Sequence, residues 1–302
     1  MVHTNIVKGE PPAGKTNTEG LTCQVNTNNQ LTTCSIGYDA AGNTTSNGTT
    51  SYTYDAENRV IWTSGYRYIY DGHGERVEKC QAASATTACP TSGTTGTLYW
   101  RGTGSDTLAE TDLAGNDQEE YLFFNGQRIA RRDTTSTGTT IAIHYYFSDH
   151  LGTHGVVENA TGTTCEQDID YYPYGGVEHD YCPNATQNYK FTGKERDAES
   201  GLDMFGARYH GSNLGRFTTP DPIQLKANRL LNPQRLNLYS YGVNSPLVNI
   251  DPDGRDAIAV VFPDYKIQTP IGKLSGIGHA GVVTIDSKGH AKYFEYGALR
   301  RS

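Results

Sequence analysis

The chain has 302 residues and a formal net charge of −8, with 21 Tyr and 34 Gly but only 2 Trp and 2 Met. The acidic balance gives no basic face for nucleic acid, and the longest apolar run, Ala257 to Phe262, is too short to span a bilayer. Tyr and Thr favour strands, Gly and Asn favour turns, and regular aromatic spacing argues against disorder. The composition therefore predicts a large, twisted, tyrosine-rich β-structure.

Tyr-Asp pairs recur in the first third of the chain, after a polar segment (residues 1–35) that we expect to be weakly structured. The pairs lie sixteen residues apart and are Tyr38-Asp39, Tyr54-Asp55 and Tyr70-Asp71. A turn-forming stretch follows each pair, and sixteen residues fit one short β-hairpin. The tyrosines of residues 52–54 and 66–70 alternate with other residues, so each set is predicted to lie on one face of a strand.

The repeat continues in a degraded form after residue 98. Asp112-Leu-Ala-Gly-Asn116 and Asp149-His-Leu-Gly152 repeat the turn, and Asn125-Gly126 is a hairpin-type dipeptide. One hairpin cannot bury its own apolar face, but a stack of hairpins can. The pattern predicts a mainly β fold, a spiralling antiparallel hairpin sheet that is curled and incomplete, with an exposed edge.

The six cysteines fall into three local couples, Cys23/Cys34, Cys80/Cys89 and Cys165/Cys182. None has Cys-x-x-Cys spacing, and no His lies near them at ligand spacing. We predict disulfides across hairpin loops, which indicate an oxidising destination, and six reduced thiols are the alternative. Asp286 and His290 flank a later turn without further ligands, so neither a metal site nor a cofactor is expected.

A series of specific motifs begins at Asn188. The motifs are Lys190 to Asp203, Phe205-Gly-Ala-Arg-Tyr209, Leu214-Gly-Arg-Phe217, Pro220-Asp-Pro-Ile223, Asn237-Leu-Tyr-Ser-Tyr241, Asn244-Ser-Pro246 and Asp251-Pro-Asp-Gly254. They resemble the core of the Rhs/YD-repeat family, which includes bacterial polymorphic toxins, insecticidal toxin-complex C components and the teneurin shell. The resemblance covers roughly residues 36–255.

The resemblance implies a hollow β-shell of spiralling hairpins, lined in large part by the repeat tyrosines and closed at one end by the core. It divides the chain into a shell at 36–187, a core plug at 188–255 and a variable tip at 256–302, which is expected to be a small α+β or β unit. In the family the C-terminal segment is a toxin held inside the shell. The core often acts as an aspartyl protease that cuts this toxin free.

Asp221 and Asp251 match the two self-cleavage motifs of the family. An aspartyl protease needs one ionised and one protonated carboxylate, and close like charges separate their pKa values to give that state. Arg216 is expected to steady one carboxylate through a charge-assisted hydrogen bond. The cut is expected between Gly254 and Arg255. The alternative is that both Asp-Pro pairs are turn residues whose carboxylates bond their own backbone.

The chain departs from the related patterns at three places. Gln224 stands where the family commonly has Gly, and Arg255 stands where it usually has Leu. The Gly-His-Ala-Gly stretch around His279 is similar to the His strand of papain-like (NlpC/P60-type) peptidases, in which His279 would be the general base. No Cys follows Cys182, so the tip cannot complete that dyad, and the alternative is a strand His in a truncated domain.

The sequence therefore predicts a C-terminal portion of an Rhs-type polymorphic toxin that encapsulates and releases a variable effector. The expected partners are an immunity protein and a secretion-system component, with contact to a cell surface or glycan as a further expectation. Neither nucleic-acid binding by the shell nor a membrane span is expected. No signal peptide is visible, and the predicted location is secreted or cell-surface. The alternatives are a cell-surface YD-repeat protein without a live toxin and an inactive displaced cassette.

Overall fold

The computed structural model describes residues 23–102, 106–161, 165–182, 187–222 and 232–255, together with the backbone of short strands between residues 258 and 296. The described chain is mainly β, and its helical segments are single turns such as Pro233–Leu236. None of the described helices has the length and apolar character needed to cross a bilayer.

The largest element is an antiparallel sheet of 12 strands, preceded by a separate pair, β1 (Gly37–Tyr38) and β2 (Thr44–Ser46). The 12 strands are β3 (Tyr52–Tyr54), β4 (Val60–Thr63), β5 (Tyr66–Tyr70), β6 (Arg76–Gln81), β7 (Gly96–Arg101), β8 (Thr107–Thr111), β9 (Asp117–Phe124), β10 (Gln127–Thr134), β11 (Thr140–Ser148), β12 (His154–Asn159), β13 (Cys165–Tyr171) and β14 (Val177–Asp180). Each strand pairs with its neighbours in chain order, and β3 and β14 are the two edges. The prediction of an open hairpin sheet is confirmed.

One turn geometry recurs between the strands, and an aspartate carboxylate builds it. In the turn that begins at Asp71, the Oδ1 atom accepts the backbone N–H of His73 at 2.9 Å and of Glu75 at 3.0 Å. Gly74 has a φ of +86°, which Gly and Asn adopt readily and other residues do not. The same bonds form in the turns that begin at Asp39, Asp55, Asp112 and Asp149. The recurring Asp therefore has a local structural cause.

The three predicted cysteine couples are disulfides. The bridges are Cys23–Cys34, Cys80–Cys89 and Cys165–Cys182, and they leave no free cysteine in the chain. Each bridge joins residues at most 17 apart, so it closes a short loop within a hairpin region. Short disulfide loops stabilise mainly by restricting the unfolded chain locally.

Residues 187–222 and 232–255, called the core segment below, pack on one face of the large sheet. The segment contains a four-stranded antiparallel sheet made of β15 (Glu195–Arg196), β16 (Leu202–Met204), β17 (Tyr209–Gly211) and β18 (Arg216–Phe217). The ring of Tyr68 stacks on that of Tyr209 with the centroids 5.8 Å apart. The buried cluster at this contact consists of Tyr52, Val60, Tyr68, Leu202, Met204 and Tyr209, with Tyr54, Tyr66 and Tyr70 packed beside it. The prediction that these repeat tyrosines share one face is confirmed.

A buried ionic network joins β6 of the large sheet to the core segment. The Arg76 side chain is fully buried and donates hydrogen bonds to Asp197 Oδ2 and Glu195 Oε2, each at 2.7 Å. Its guanidinium carbon lies 4.8 Å from the ring centroids of Tyr68 and of Tyr99. The cation is therefore bound by two carboxylates of the core segment and packed against two aromatic rings of the large sheet.

The three remaining strand pairs lie at the C-terminal end of the described chain. They are β19 (Asn249–Ile250) with β20 (Ile258–Ala259), β21 (Ile267–Thr269) with β22 (Gly272–Leu274), and β23 (Ala280–Ile285) with β24 (Ala291–Tyr296). The β23–β24 pair is antiparallel and corresponds to the hairpin predicted there. The described residues 251–255 follow β19 directly and precede β20.

The Asp197→Asn substitution tests the ionic network. Burial opposes the ionisation of Asp197, but the charges of Arg76 and Lys79 outweigh it and hold the pKa of Asp197 below its usual value. Removing one partner of a buried pair typically costs about 3–5 kcal/mol, and we expect a loss of that order in the free energy of unfolding. The control Glu57→Gln removes an exposed carboxylate from Arg59 and should cost less than about 1 kcal/mol. Urea denaturation measures both, and equal losses would contradict the network.

Candidate functional site

The candidate site is the turn from Asp251 to Arg255. Asp251 Oδ1 accepts a hydrogen bond from the backbone N–H of Arg255 at 3.0 Å. Each repeat aspartate accepts the same kind of bond from the residue four positions after it. Gly254 has a φ of +76°, and a Cβ atom there would lie 2.9 Å from the carbonyl oxygen of Phe205, so the turn requires Gly. Asp251 is thus a turn residue, and its carboxylate also contacts the nitrogen of the predicted scissile peptide.

Other residues of the core segment donate hydrogen bonds to the carbonyl oxygens of this turn. The three bonds are Lys194 Nζ to Pro252 O at 2.6 Å, Ala207 N to Asp253 O at 3.1 Å, and Arg208 Nε to Gly254 O. The Gly254–Arg255 peptide is therefore contacted at both ends, by a guanidinium on its oxygen and a carboxylate on its nitrogen. Such contacts fix the orientation of one peptide bond relative to two ionisable groups.

Arg208 contacts the carboxylate of Asp251 and shares a backbone acceptor, the carbonyl oxygen of Leu238, with Asp221. Its Nη2 atom donates to Asp251 Oδ2 at 3.2 Å, and its Nη1 atom donates to the carbonyl oxygen of Leu238 at 3.1 Å. The backbone N–H of Asp221 donates to the same Leu238 oxygen at 2.8 Å. The structure therefore brings the chain at Asp221 and the carboxylate of Asp251 to one guanidinium.

Burial distinguishes Asp251 from Asp71, one of the aspartates of the repeat turns. Asp251 is only 3% exposed, and its burial raises the pKa to about 6 against the opposing charge of Arg208. Asp71 forms the same kind of turn at the surface, where desolvation raises its pKa but is outweighed by hydrogen bonds from the backbone of Glu75 and His73, so that the pKa of Asp71 is lowered. The pKa of the turn aspartate is thus lowered at Asp71 and raised at Asp251.

The other predicted site residues have different surroundings. The Arg216 Nη1 atom donates to the carbonyl oxygen of Asn29 at 2.7 Å, and its guanidinium carbon lies 5.9 Å from the ring centroid of Tyr239. Among the described contacts, the guanidinium on Asp251 belongs to Arg208. His279 and Gln224 lie outside the described residues.

Sequence reasoning missed Arg208 and Lys194, although both lie within recognised motifs. Arg208 is the single charged residue of Phe205-Gly-Ala-Arg-Tyr209. A cation in such an apolar segment is buried with the segment and must find partners, because an unpaired buried charge is very costly. That signal indicates a partnered cation, but the sequence does not identify a partner 43 residues away.

One group of potential metal ligands occurs among the described residues, formed by Glu78, Cys80 and Cys89. Cys80 and Cys89 form a disulfide, so neither offers the thiolate that binds a metal. The group is therefore a disulfide beside a carboxylate, and it offers no set of thiolate ligands.

Comparison with known proteins shows what the chain is similar to. The teneurin YD-shell family model matches residues 139–247. This part of the chain resembles the YD-repeat shell of Rhs-type proteins. The tRNA(Glu)-specific nuclease WapA of Bacillus subtilis subsp. natto is 27% identical over 282 residues, covering 86% of this chain, and toxin subunit YenC1 of Yersinia entomophaga is 33% identical over 116 residues, covering 37% of it.

Solved structures show the same fold. The Photorhabdus luminescens Tc holotoxin pore matches 74% of this YD-repeat chain with a TM-score of 0.53 and 19% sequence identity. A crystal structure of TcdB2-TccC3 matches 72% with a TM-score of 0.52 and 20% identity. This chain spans 11% of the length of each of these structures, and also 11% of WapA and of YenC1.

The titration of Asp251 tests the electrostatics of the site. In a chain with ¹³C-labelled aspartate carboxyls, we expect one signal to titrate near pH 6, because burial raises the pKa of Asp251 to about 6. An Asp221→Asn background keeps the chain intact if it cuts itself. The signal should be missing when Asp251→Asn is added and present when Asp71→Asn is added. A set of aspartates that all titrate below pH 5 would contradict the raised pKa.

Proposed function

We propose that this chain is the shell-and-core part of an Rhs-type polymorphic toxin, and that its core cuts the chain between Gly254 and Arg255. In this proposal residues 36–187 belong to the shell, 188–255 form the closing core and 256–302 belong to the variable segment that is set free. The observation that carries the proposal is the double contact on one peptide bond, by Arg208 on its oxygen and Asp251 on its nitrogen.

The proposed reaction is aspartyl hydrolysis. The Asp221 carboxylate takes a proton from a water molecule as the water oxygen attacks the carbonyl carbon of Gly254. The carbon–nitrogen bond then breaks, and the departing nitrogen of Arg255 receives the proton of Asp251. The products are a carboxyl group at Gly254 and an amine at Arg255, and the two aspartates have exchanged protonation states.

The raised pKa of Asp251 predicts how the cleavage rate changes with pH. Asp251 carries its proton below its pKa of about 6 and loses it as the pH rises through that value. The proton donor is therefore depleted in alkaline solution, and the cleavage rate should fall there.

Strand pairing bears on what happens after the cut. Ile250 pairs with Ile258 and Asn249 with Ala259, so the cleaved bond lies in the loop of the β19–β20 hairpin. Cutting a hairpin loop leaves the ladder hydrogen bonds in place. The C-terminal product should therefore remain bound to the core without a covalent link until its strand separates.

The proposed setting follows from the relatives. Toxin subunit YenC1 and toxin protein Tse5 of Pseudomonas aeruginosa, the latter 29% identical over 130 residues, are named as toxins. We propose secretion or display at a cell surface, with an immunity protein and a secretion-system component as partners. Contact with a surface or glycan belongs to the alternative function as a YD-repeat surface protein without a live toxin.

The intact mass of the purified 302-residue chain tests the proposal. Wild-type protein incubated near pH 5.5 should give two products, one of which begins at Arg255. Asp221→Asn and Asp251→Asn should each give one intact mass, because each lacks one carboxylate of the pair. The control Asp71→Asn alters a repeat turn away from the site and should cleave as wild type does.

Two outcomes would contradict self-cleavage. The first is an intact wild-type chain after prolonged incubation across pH 4–7, which favours the surface protein or the inactive cassette. The second is a cut at another peptide bond that persists in both aspartate variants, which would indicate a contaminating protease.

A further inference from the structure

The core segment covers one face of the large sheet in the region from β9 to β12. Tyr121 of β9, Tyr146 of β11 and Val157 of β12 are buried on that face in a cluster with Tyr189 of the core segment. Successive side chains of a strand point to opposite faces of the sheet. The residues next to these three in the chain therefore point away from the core segment, on what is called the outer face below.

The outer face carries four exposed apolar side chains, called the outer patch below: Leu122 and Phe124 on β9, and Tyr145 and Phe147 on β11. Between 45% and 73% of each of these residues is exposed. Ala130 of β10 pairs with both Leu122 and Tyr145, and it is only 6% exposed. Neighbouring strands lie about 4.8 Å apart, so Leu122 and Tyr145 form the two walls of a shallow apolar groove with Ala130 as its floor.

The outer patch has close to the apolar area that one side of a protein–protein interface requires. Large side chains such as these bury about 150–250 Å² each, so four of them at half exposure leave roughly 400 Å² of apolar surface in water. A standard interface buries about 800 Å² on each partner, of which slightly more than half, or roughly 450 Å², is non-polar. Ile143 of β11 and Val156 of β12 are partly buried on the same face and extend the patch toward that value.

Charged residues lie at the borders of the outer patch. Arg132 and Glu120 follow the patch toward one end of the strands and neutralise each other, with Arg132 Nε donating to Glu120 Oε2 at 2.7 Å. Glu158 of β12 pairs with Tyr145 and marks the border on another side. The middle of the patch can therefore meet an identical patch without bringing like charges together. The net charge of −8 on the chain disfavours an anionic lipid surface as the occupant.

We propose that the outer patch is the interface of a homodimer, in which a second copy of this chain packs its own outer patch against it around a two-fold axis. In such an isologous contact the same surface serves both copies, so one uncharged patch is sufficient. The inference is independent of self-cleavage and goes beyond the proposed function. It places the two chains back to back, with each core segment and its 251–255 turn on the side away from the contact.

The geometry of the sheet fits this arrangement. Two antiparallel sheets pack face to face with their strands about 30° apart, and their inner side chains interdigitate in a layer about 10 Å thick. The groove over Ala130 can receive a large side chain of the second copy, such as Phe124, which is 73% exposed beside the β9–β10 turn. The dimer contact would therefore be a β-sandwich formed between two chains.

Sedimentation velocity of the full chain at about 1–200 μM tests the inference, since a standard-sized interface gives micromolar or tighter affinity. An Asp221→Asn background keeps the chain intact if it cuts itself. We expect a reversible monomer–dimer equilibrium. Its dissociation constant should fall as the salt concentration rises, because salt screens the repulsion between two chains of net charge −8.

Leu122→Lys should weaken the dimer, because it places a charge in each copy of the apolar contact. Each dimer carries the substitution twice, so a tenfold loss per site becomes about 100-fold in the dissociation constant. The matched control is Leu236→Lys. Leu236 is a leucine of similar exposure, 41% against 51%, in a single helical turn of the core segment. Its substitution should leave the dissociation constant within a few-fold of wild type.

Hydroxyl-radical labelling locates the contact on the chain. Oxidation of Tyr145 and Phe147 should be lower in concentrated protein, where the dimer is populated, than in dilute protein. Tyr181 is the internal control, because it is 57% exposed and follows β14, three strands away from β11. Its oxidation should be the same at both concentrations.

Three outcomes would overturn the inference. The first is a monomer at every concentration, and binding of that monomer to vesicles of neutral phosphatidylcholine would assign the patch to a lipid surface instead. The second is a dimer that Leu122→Lys does not weaken. The third is a dimer in which Tyr181 is protected and Tyr145 is not. If Leu122→Lys does not fold, as judged by near-ultraviolet circular dichroism, Phe124→Lys at the most exposed position decides in its place.

Discussion

The burial of Arg76 between two structural units is the interaction on which the rest of the structure depends. Its guanidinium comes from the large sheet, while the carboxylates that neutralise it, Glu195 and Asp197, come from the core segment. Neither unit can bury its share of these charges alone, because an unpaired buried ion costs several kcal/mol. The network therefore couples the folding of the sheet face to the docking of the core segment, and the docked core segment supplies Arg208 and Lys194 to the 251–255 turn.

The same aspartate-based turn occurs in two different environments in this chain. An Asp that binds the backbone N–H four residues on, with Gly or Asn in a positive φ conformation, connects strands in the repeat turns. The same turn at Asp251 is buried within the core segment, and the desolvation of its carboxyl group raises the pKa to about 6. The raised pKa of Asp251 follows from burial, which outweighs the opposing charge of Arg208, and it needs no new backbone geometry.

The features that the sequence predicted well are local ones. The hairpin repeat follows from the spacing of Asp39, Asp55 and Asp71, and disulfides such as Cys80–Cys89 join residues in one hairpin region. The partners of Arg76 could not be predicted, because they lie 119 and 121 residues away and are chosen by the docking of two units. The same limit explains why the sequence motifs pointed to Arg216 as the arginine that binds a carboxylate. It lies five residues before Asp221 in the chain, whereas the structure brings Arg208 to Asp251 across 43 residues.

Native-state hydrogen exchange at increasing urea concentration tests most directly the claim that the sheet and the core segment form one cooperative unit. The account predicts that the amides of β5 and β6, beside Arg76, open with the same free energy as those of β16 and β17. The free energies should converge well before global unfolding. Exchange of the β16 and β17 amides at a much lower free energy, with β5 and β6 still protected, would show that the core segment undocks alone and would contradict the account.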